Sequence, residues 1–288
     1  MGENPITVGV TGTGGYLGSY LCPYLRERGF RVIELSSSKE RGDQVIPFRL
    51  GESVSPDELK GIDVLIHAAH DFRPLEWREI HRVNVEGSRM LFAAASEAGV
   101  KSILFISTMA AFEGCKSLYG KAKLLIENEA SARGGVSVRP GLMWGGGPGG
   151  LVGSLSELVT RANRVPVFGG GKQVLYLNHR ADLSEFVARF ARGEIDAGGT
   201  FTLACDVPWT FREILQGVAV ANGRYVAFHS LPWKPVYWLL KALEKAGRRP
   251  GFRSDSLLSL MNQDPKPDFS TYRRLELGFR NFDPARQV

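Results

Sequence analysis

Short apolar runs alternate with stretches whose apolar residues recur every three or four positions, and this alternation predicts most of the secondary structure. Ile6, Val8 and Val10 form a first strand that stops at Thr11, and Tyr16, Leu17, Tyr20, Leu21, Tyr24 and Leu25 follow at helical spacing until Gly29. Further strands are predicted at Arg31–Leu35, Val45–Phe48, Asp63–Ala69, Lys101–Ile106 and Val136–Pro140. The run at Asp63–Ala69 is almost wholly apolar, as a strand buried on both faces must be. Between the strands lie a short helix at Pro56–Gly61, a long helical region at Trp77–Ala98 and a helix headed by Tyr119. Strands alternating with helices predict an α/β fold with a doubly wound parallel sheet. Past a glycine-rich stretch at Gly141–Gly150 the alternation decays. Helices are then predicted at Leu151–Ala162, Ala181–Arg192 and Phe211–Val220, a hairpin around Gly169–Gly171, and a strand at Phe201–Ala204. Residues 1–150 are thus read as the main domain. Residues 151–288 are read as a smaller α/β part packed over the sheet's carboxyl edge, with some elements shared.

Composition adds a few limits. At 288 residues and 43% hydrophobic, the chain is globular. Its net charge of +6 favours anionic small-molecule ligands, but no basic block is dense enough to argue for nucleic acid. Cys22, Cys115 and Cys205 are scattered without metal-ligand spacing, which reads as reduced thiols in a cytoplasmic protein. His67, His70 and Asp71 are near one another, but no further ligand follows at a plausible spacing, so no metal is expected. The first residues lack a leader pattern and no run reaches the length of a membrane span, so the expectation is a soluble, unprocessed chain.

The first strand and its turn carry the clearest chemistry. Gly12, Gly15 and Gly18 lie between a strand and a helix, the order a dinucleotide pyrophosphate requires. Gly12 permits a tight turn, Gly15 lets backbone approach phosphate, and Gly18 allows helix and strand to pack closely. The helix start then faces the anion. Gly14, Tyr16 and Leu17 belong to the same turn. About 20 residues past such glycines an acid ordinarily takes the ribose hydroxyls of NAD. Here Ser36 and Ser37 stand there instead, with Lys39 and Arg41 nearby. Hydroxyls and cations suit a 2′-phosphate, so NADP is favoured over NAD. Ala68 and Ala69 end the fourth strand with side chains small enough for a cofactor to lie against them.

Tyr119 and Lys123 stand four apart at a helix start and share a face. A lysine cation beside the phenol, together with a positive nicotinamide ring, would lower the phenol from its usual value near 10. Tyr119 would then exchange a proton with a substrate oxygen while hydride passes at the adjacent carbon. Thr108, at the end of the fifth strand, would hydrogen-bond that oxygen, with Ser107 as the fallback if the register slips by one.

The ordered set of motifs resembles the extended short-chain dehydrogenase/reductases, the NAD-dependent epimerase/dehydratase family. The matching segments are Thr11-Gly12-x-x-Gly15-x-x-Gly18, Gly61–Ala69, Asn84–Ser88, Tyr119-x-x-x-Lys123, Arg139-Pro140 with Trp144-Gly145, Asn178–Leu183 and Asp268–Phe279. The resemblance implies a Rossmann fold, Tyr119 as general acid/base, and Lys123 as its electrostatic partner and contact to the nicotinamide ribose. It also places Asn84 and Pro140 at the cofactor, and His70, Met109, Met143 and His179 toward the substrate. A nucleotide-sugar-like substrate and a homodimer through the two long helices are further implications. The sequence departs from the family's pattern at Ser36, at Arg49 where an aspartate is frequent, and at Gly141-Leu-Met143. Three readings follow: a carbonyl/hydroxyl oxidoreductase, an epimerase or dehydratase that recycles tightly bound NAD, and a non-catalytic NADP-sensing protein. The retained Tyr119/Lys123 pair argues against the last, and no nucleophile-elbow serine supports a hydrolase. Trp233, Tyr237, Trp238 and Leu239 form an apolar stripe in the tail, read as a lid helix that buries it. The alternatives are an apolar substrate or contact with a membrane surface.

Overall fold

Seven of the chain's strands hydrogen-bond side by side as one parallel sheet in the computed structural model, which describes residues 4–37, 40–146, 149–248 and 250–287. In chain order the elements are β1 (Thr7–Thr11), α1 (Gly18–Glu27), β2 (Arg31–Ser36), β3 (Val45–Pro47), α2 (Pro56–Leu59), β4 (Val64–His67), α3 (Trp77–Ile80), α4 (Gly87–Glu97), β5 (Ser102–Ile106), α5 (Leu118–Ser131), β6 (Val136–Pro140) and β7 (Leu142–Trp144). There follow α6 (Gly150–Arg161), β8 (Arg164–Phe168), β9 (Val174–Leu175), β10 (Leu177–His179), α7 (Arg180–Ala191), β11 (Thr200–Leu203), β12 (Trp209–Thr210), α8 (Phe211–Ala221), β13 (Ala227–Leu231), α9 (Trp233–Lys245), α10 (Ser254–Met261) and α11 (Ser270–Arg274).

The sheet runs β11-β6-β5-β4-β1-β2-β3 with every neighbouring pair parallel. The order reverses between β1 and β4. Crossovers leave that point toward opposite faces, so a crevice opens beyond the carboxyl ends of these two strands. Their register sets Thr11 opposite His67, which fixes the floor of the crevice. All five residues of β1 are buried, because helices cover both faces of the central strands. On one face Leu21 and Leu25 of α1 pack with Phe186 of α7. On the other, Leu91 and Phe92 of α4 pack with Ile126 of α5. A third cluster, with Trp144, Val159, Val165, Leu215 and Phe282, forms the core of the C-terminal elements. α7 and β11 belong to the main sheet and its cover although both follow residue 150.

Three expectations need correction. The helical region at 77–98 is not uniform: between α3 and α4 it widens into a π-type turn at His81–Glu86, where the buried Asn84 amide is bonded to backbone outside the helix. No hairpin forms at Gly169–Gly171. The three glycines all have positive φ and carry the chain sideways in a short 3-10 turn, after which β8 pairs in parallel with β13 and β9 antiparallel with β12. The tail stripe is not buried: no residue of α9 is, and Trp238 and Leu239 stand 66% and 60% exposed. Among the described residues no helix is long and apolar enough to cross a membrane.

Candidate active site

Close backbone approaches shape the turn after β1. Gly12 has φ +74°, and a Cβ there would stand 2.9 Å from the Ala68 carbonyl carbon. The Gly15 N–H donates to the Gly12 carbonyl at 3.0 Å. A Cβ on Gly18 would stand 2.3 Å from that same carbonyl oxygen and 2.7 Å from Thr13 Cα. Gly14 has nothing within 4 Å of its missing Cβ. The turn is thus packed on its inner side and open on its outer side, and no side chain caps the start of α1. These features fit a pyrophosphate cradle.

A cleft of about 600 Å³ occupies the switch point, a size typical of small-molecule sites. Gly12, Gly14, Gly15, Tyr16, Leu17 and Gly18 line one part of it, as do Ser36, Ser37, Ala68, Ala69 and Pro140. His70, Ser107, Thr108, Tyr119, Lys123 and Met143 line the rest of the predicted set. Arg41 does not join them, because its guanidinium pairs with Glu58 of α2. Lys39 lies outside the described residues. Among the described residues, Arg49, flanked by Phe48 and Leu50, is a cation that lines the same cleft as Ser36 and Ser37.

The fourth-strand end is held by one hydrogen-bond chain. The Ser88 hydroxyl donates to Asn84 O at 2.6 Å, so His67 Nε2 carries the proton and donates to Ser88 Oγ at 2.8 Å. His67 Nδ1 then accepts from Thr11 Oγ1 at 2.8 Å, and that hydroxyl accepts the N–H groups of Ala68 and Ala69 at 3.1 and 3.2 Å. Complete burial and the Lys123 cation hold the His67 imidazole down to about 3, so it is a neutral strut. Asn84 acts beside it: its amide accepts Asp71 N–H at 2.7 Å and donates to Asp71 O at 3.1 Å, fixing the 70–73 loop. It supports the cleft from behind and does not line it.

Tyr119 meets the cleft from the first turn of α5. Burial pushes its phenol up to about 12, opposed by a hydrogen bond with Thr108. Lys123 does not lower it as the four-residue spacing predicts. The ammonium donates to Ile106 O at 2.8 Å, lies over the Phe105 ring at 4.6 Å, and is 6.0 Å from the Tyr119 ring centre. Burial draws Lys123 itself down to about 7, with Glu127 opposing. Desolvation of both groups therefore outweighs their mutual help, and the phenol is protonated at neutral pH in the ligand-free fold. Ser107 turns away from Tyr119: its hydroxyl donates to Glu127 at 2.5 Å, and Glu127 in turn holds Arg139 at 2.6 and 2.8 Å. His70 stands edge-on to Tyr119 at 4.9 Å, its Nδ1 buried without a partner. Burial and the Lys123 cation keep its imidazole well below 6.5.

Two predicted substrate residues are placed elsewhere. His179 caps α7, its Nδ1 accepting the Ala181 N–H at 3.2 Å, and packs on Trp144 at 4.5 Å. Met109 packs against the apolar cluster on the α1 side of the sheet. The structure also adds residues that motif spacing misses. Asp255 of α10 accepts the N–H groups of Leu118 and Tyr119 at 2.7 and 3.0 Å, while Ser117 accepts that of Gly120 at 3.1 Å. The start of α5 thereby has its orphan donors satisfied and a carboxylate at its positive end. Asp255 lies 136 residues from Tyr119, so only the fold reveals the contact. Asp255→Ala is expected to cost about 1–2 kcal/mol in denaturant stability and about tenfold in turnover, with dinucleotide affinity kept and Asp255→Asn intermediate. Unchanged turnover in a stably folded Asp255→Ala protein would show that this cap does not position Tyr119.

Comparison with known proteins agrees with this geometry. Residues 8–204 match the profile of the NAD dependent epimerase/dehydratase family. An uncharacterized protein, y4nG, of Sinorhizobium fredii is 28% identical over 82% of the chain, which spans only 65% of that relative's length. A 2-alkyl-3-oxoalkanoate reductase of Stenotrophomonas maltophilia is 25% identical over 96% of the chain and 92% of the relative. Among solved structures, the NAD dependent NDP-hexosamine 5,6-dehydratase TunA superposes with a TM-score of 0.72, covering 98% of this chain and 95% of its own at 17% identity.

Proposed function

We propose that this chain, which belongs to the NAD dependent epimerase/dehydratase family, is a nicotinamide-dependent enzyme that reduces a carbonyl compound with Tyr119 as proton donor. The observation that carries this reading is that Tyr119, Thr108 and Lys123 line one cleft with the glycine turn, where burial raises the Tyr119 phenol to about 12 and so favours its protonated form. The bound dinucleotide would supply hydride to the carbonyl carbon. Gly12, Gly14, Gly15 and Gly18 would hold its pyrophosphate, and Lys123 its nicotinamide ribose. The proton would move from Tyr119 Oη to the substrate oxygen, which becomes the hydroxyl of the product alcohol, and solvent would reprotonate the phenolate. Thr108 orients that oxygen, and the alanines at 68 and 69 leave room for the cofactor beside β4. A phenol that holds its proton at neutral pH suits donation better than abstraction, so reduction is favoured over oxidation.

The cofactor is NADPH. Ser36, Ser37 and Arg49 line the cleft where a ribose acid would otherwise stand, and among the described residues the ion pair of Arg49 is a loose 3.7 Å contact with Glu52. The substrate is a small molecule. A nucleotide sugar is one class, by analogy with the dehydratase TunA, and an oxoalkanoate is another, by analogy with the Stenotrophomonas reductase. The test is mass spectrometry of any dinucleotide that co-purifies, followed by titration of the emptied protein. NADPH should bind about tenfold or more tightly than NADH, and Arg49→Ala should remove most of that difference. Tightly retained NAD would overturn the NADPH assignment and favour an epimerase or dehydratase that returns the hydride.

A further inference from the structure

A second cavity of about 220 Å³ opens beside the main cleft. Phe72 and Arg73 line both, and the Phe72 ring lies 5.5 Å from that of Tyr119. The side cavity therefore begins one aromatic ring beyond the reacting phenol. Its far wall comes from Glu244 at the end of α9 and from Arg248, Pro250 and Arg253 between α9 and α10. Three guanidinium groups thus face one carboxylate, and the Glu244 carboxylate is already engaged, accepting from Ser254 N and Oγ at 2.8 and 2.6 Å. Arg73 is neutralised by Asp71 at 2.6 Å. Among the described residues no carboxylate lies within ion-pair distance of Arg248 or Arg253. Arg253 is held rigidly, Nη1 donating to Phe72 O at 2.6 Å and Nη2 to Pro74 O at 3.2 Å, while its Nε–H is buried without an acceptor.

Two uncompensated guanidinium groups beside Phe72, Leu75 and Pro250 suit an organic anion with hydrocarbon next to its charge. The volume is below the roughly 300–1,000 Å³ of whole-ligand pockets, so it fits a carboxylate with a few carbons and is too small for a nucleoside diphosphate. We propose that this cavity binds the carboxylate of the substrate, which is accordingly an oxo acid whose carbonyl lies at Tyr119 and whose charged end passes Phe72 to Arg248 and Arg253. The proposal rests on the carbonyl-reduction reading for its chemistry, in which the carboxylate itself is unchanged. A carboxylate seated there also tightens the segment that carries Asp255, and with it the N–H groups of Leu118 and Tyr119.

The test uses the full chain with NADPH, 3-oxooctanoate and its methyl ester as alternative substrates, and octanoate as a non-reactive probe. The acid should be reduced with kcat/KM about 20-fold or more above the ester, and Arg248→Ala should shrink that preference to about threefold or less, mainly through KM for the acid. Arg248→Lys should restore part of it, and calorimetry should show octanoate binding weakened about tenfold by Arg248→Ala. If acid and ester are reduced equally and octanoate binds no better than octanol, the carboxylate site is wrong and carbonyl reduction stands. If octanoate binding depends on Arg248 but neither oxo compound is reduced, the anion site is upheld and the reduction reading falls. If uridine diphosphate competes with octanoate and Arg248→Ala weakens it equally, the cavity serves a diphosphate and the oxo-acid proposal is overturned.

Discussion

Tyr119→Phe is expected to lower turnover by about 10²–10⁴-fold or more, while NADPH affinity and denaturant midpoint stay near those of the parent protein. The substitution removes one oxygen from a ring whose packing against His70 and Phe72 at 4.9 and 5.5 Å is kept. What disappears is the phenol hydroxyl that lines the cleft together with Thr108. The pH profile gives a second test of the same residue. The phenol of the ligand-free fold loses its proton only near 12. Reduction, which uses the protonated form, should therefore be insensitive to Tyr119 ionisation through the neutral range. Oxidation of the product alcohol needs the phenolate and should rise with pH, about tenfold per unit below that pKa. A Tyr119→Phe protein that reduces substrate at a near-parental rate would remove Tyr119 from the mechanism, and His70, edge-on to the same ring, would become the next residue to test.

The second large effect is expected at the glycine turn. In Gly18→Ala the new Cβ would meet Gly12 O at 2.3 Å and Thr13 Cα at 2.7 Å, both backbone atoms of the turn itself. Neither can swing aside as a side-chain end would, so α1 and the turn must separate. A loss of about 1–3 kcal/mol in stability and about 100-fold or more in dinucleotide affinity is expected, read from denaturant midpoints and NADPH titration. Gly14→Ala is the contrast, because nothing lies within 4 Å of its Cβ. Its denaturant midpoint should be unchanged or slightly raised, since alanine lowers the entropy of the unfolded chain. Equal stability of the two variants would mean that the turn yields more easily than its packing implies.

Much of this molecule is legible from its residues alone. The strands that build the sheet are short apolar runs closed by glycine or polar residues, and burial on both faces demands that composition wherever helices cover the sheet. The glycine turn is equally local: Gly12, Gly15 and Gly18 are each required by contacts within the turn or across to the next strand. Tyr119 and Lys123 come to one cleft because they lie one helical turn apart on α5. Periodicity and backbone sterics act over a few residues, so a sequence records them directly.

Other features depended on which distant segments met. The four-residue spacing of Tyr119 and Lys123 placed both groups correctly but not their charges, since burial and the Ile106 carbonyl were unknown to it. Arg41 and Arg49 are equally cationic in the sequence, yet in the fold Arg41 pairs with Glu58 while Arg49 lines the cleft. His179 and Asn84 fall within motifs, yet one caps a helix and the other braces a loop. The tail helix illustrates the opposite error, an apolar stripe that periodicity assigns to a core and the fold leaves exposed. Asp255 and Arg253 had no local signal at all, because their partners lie more than 100 residues away in the chain. The sequence by itself determined the sheet, the turn and the pairing of Tyr119 with Lys123, which obey local rules of spacing and conformation. Only the tertiary structure decided their protonation, their supports and the shape of the second cavity, because desolvation and charge pairing depend on what surrounds a group in space.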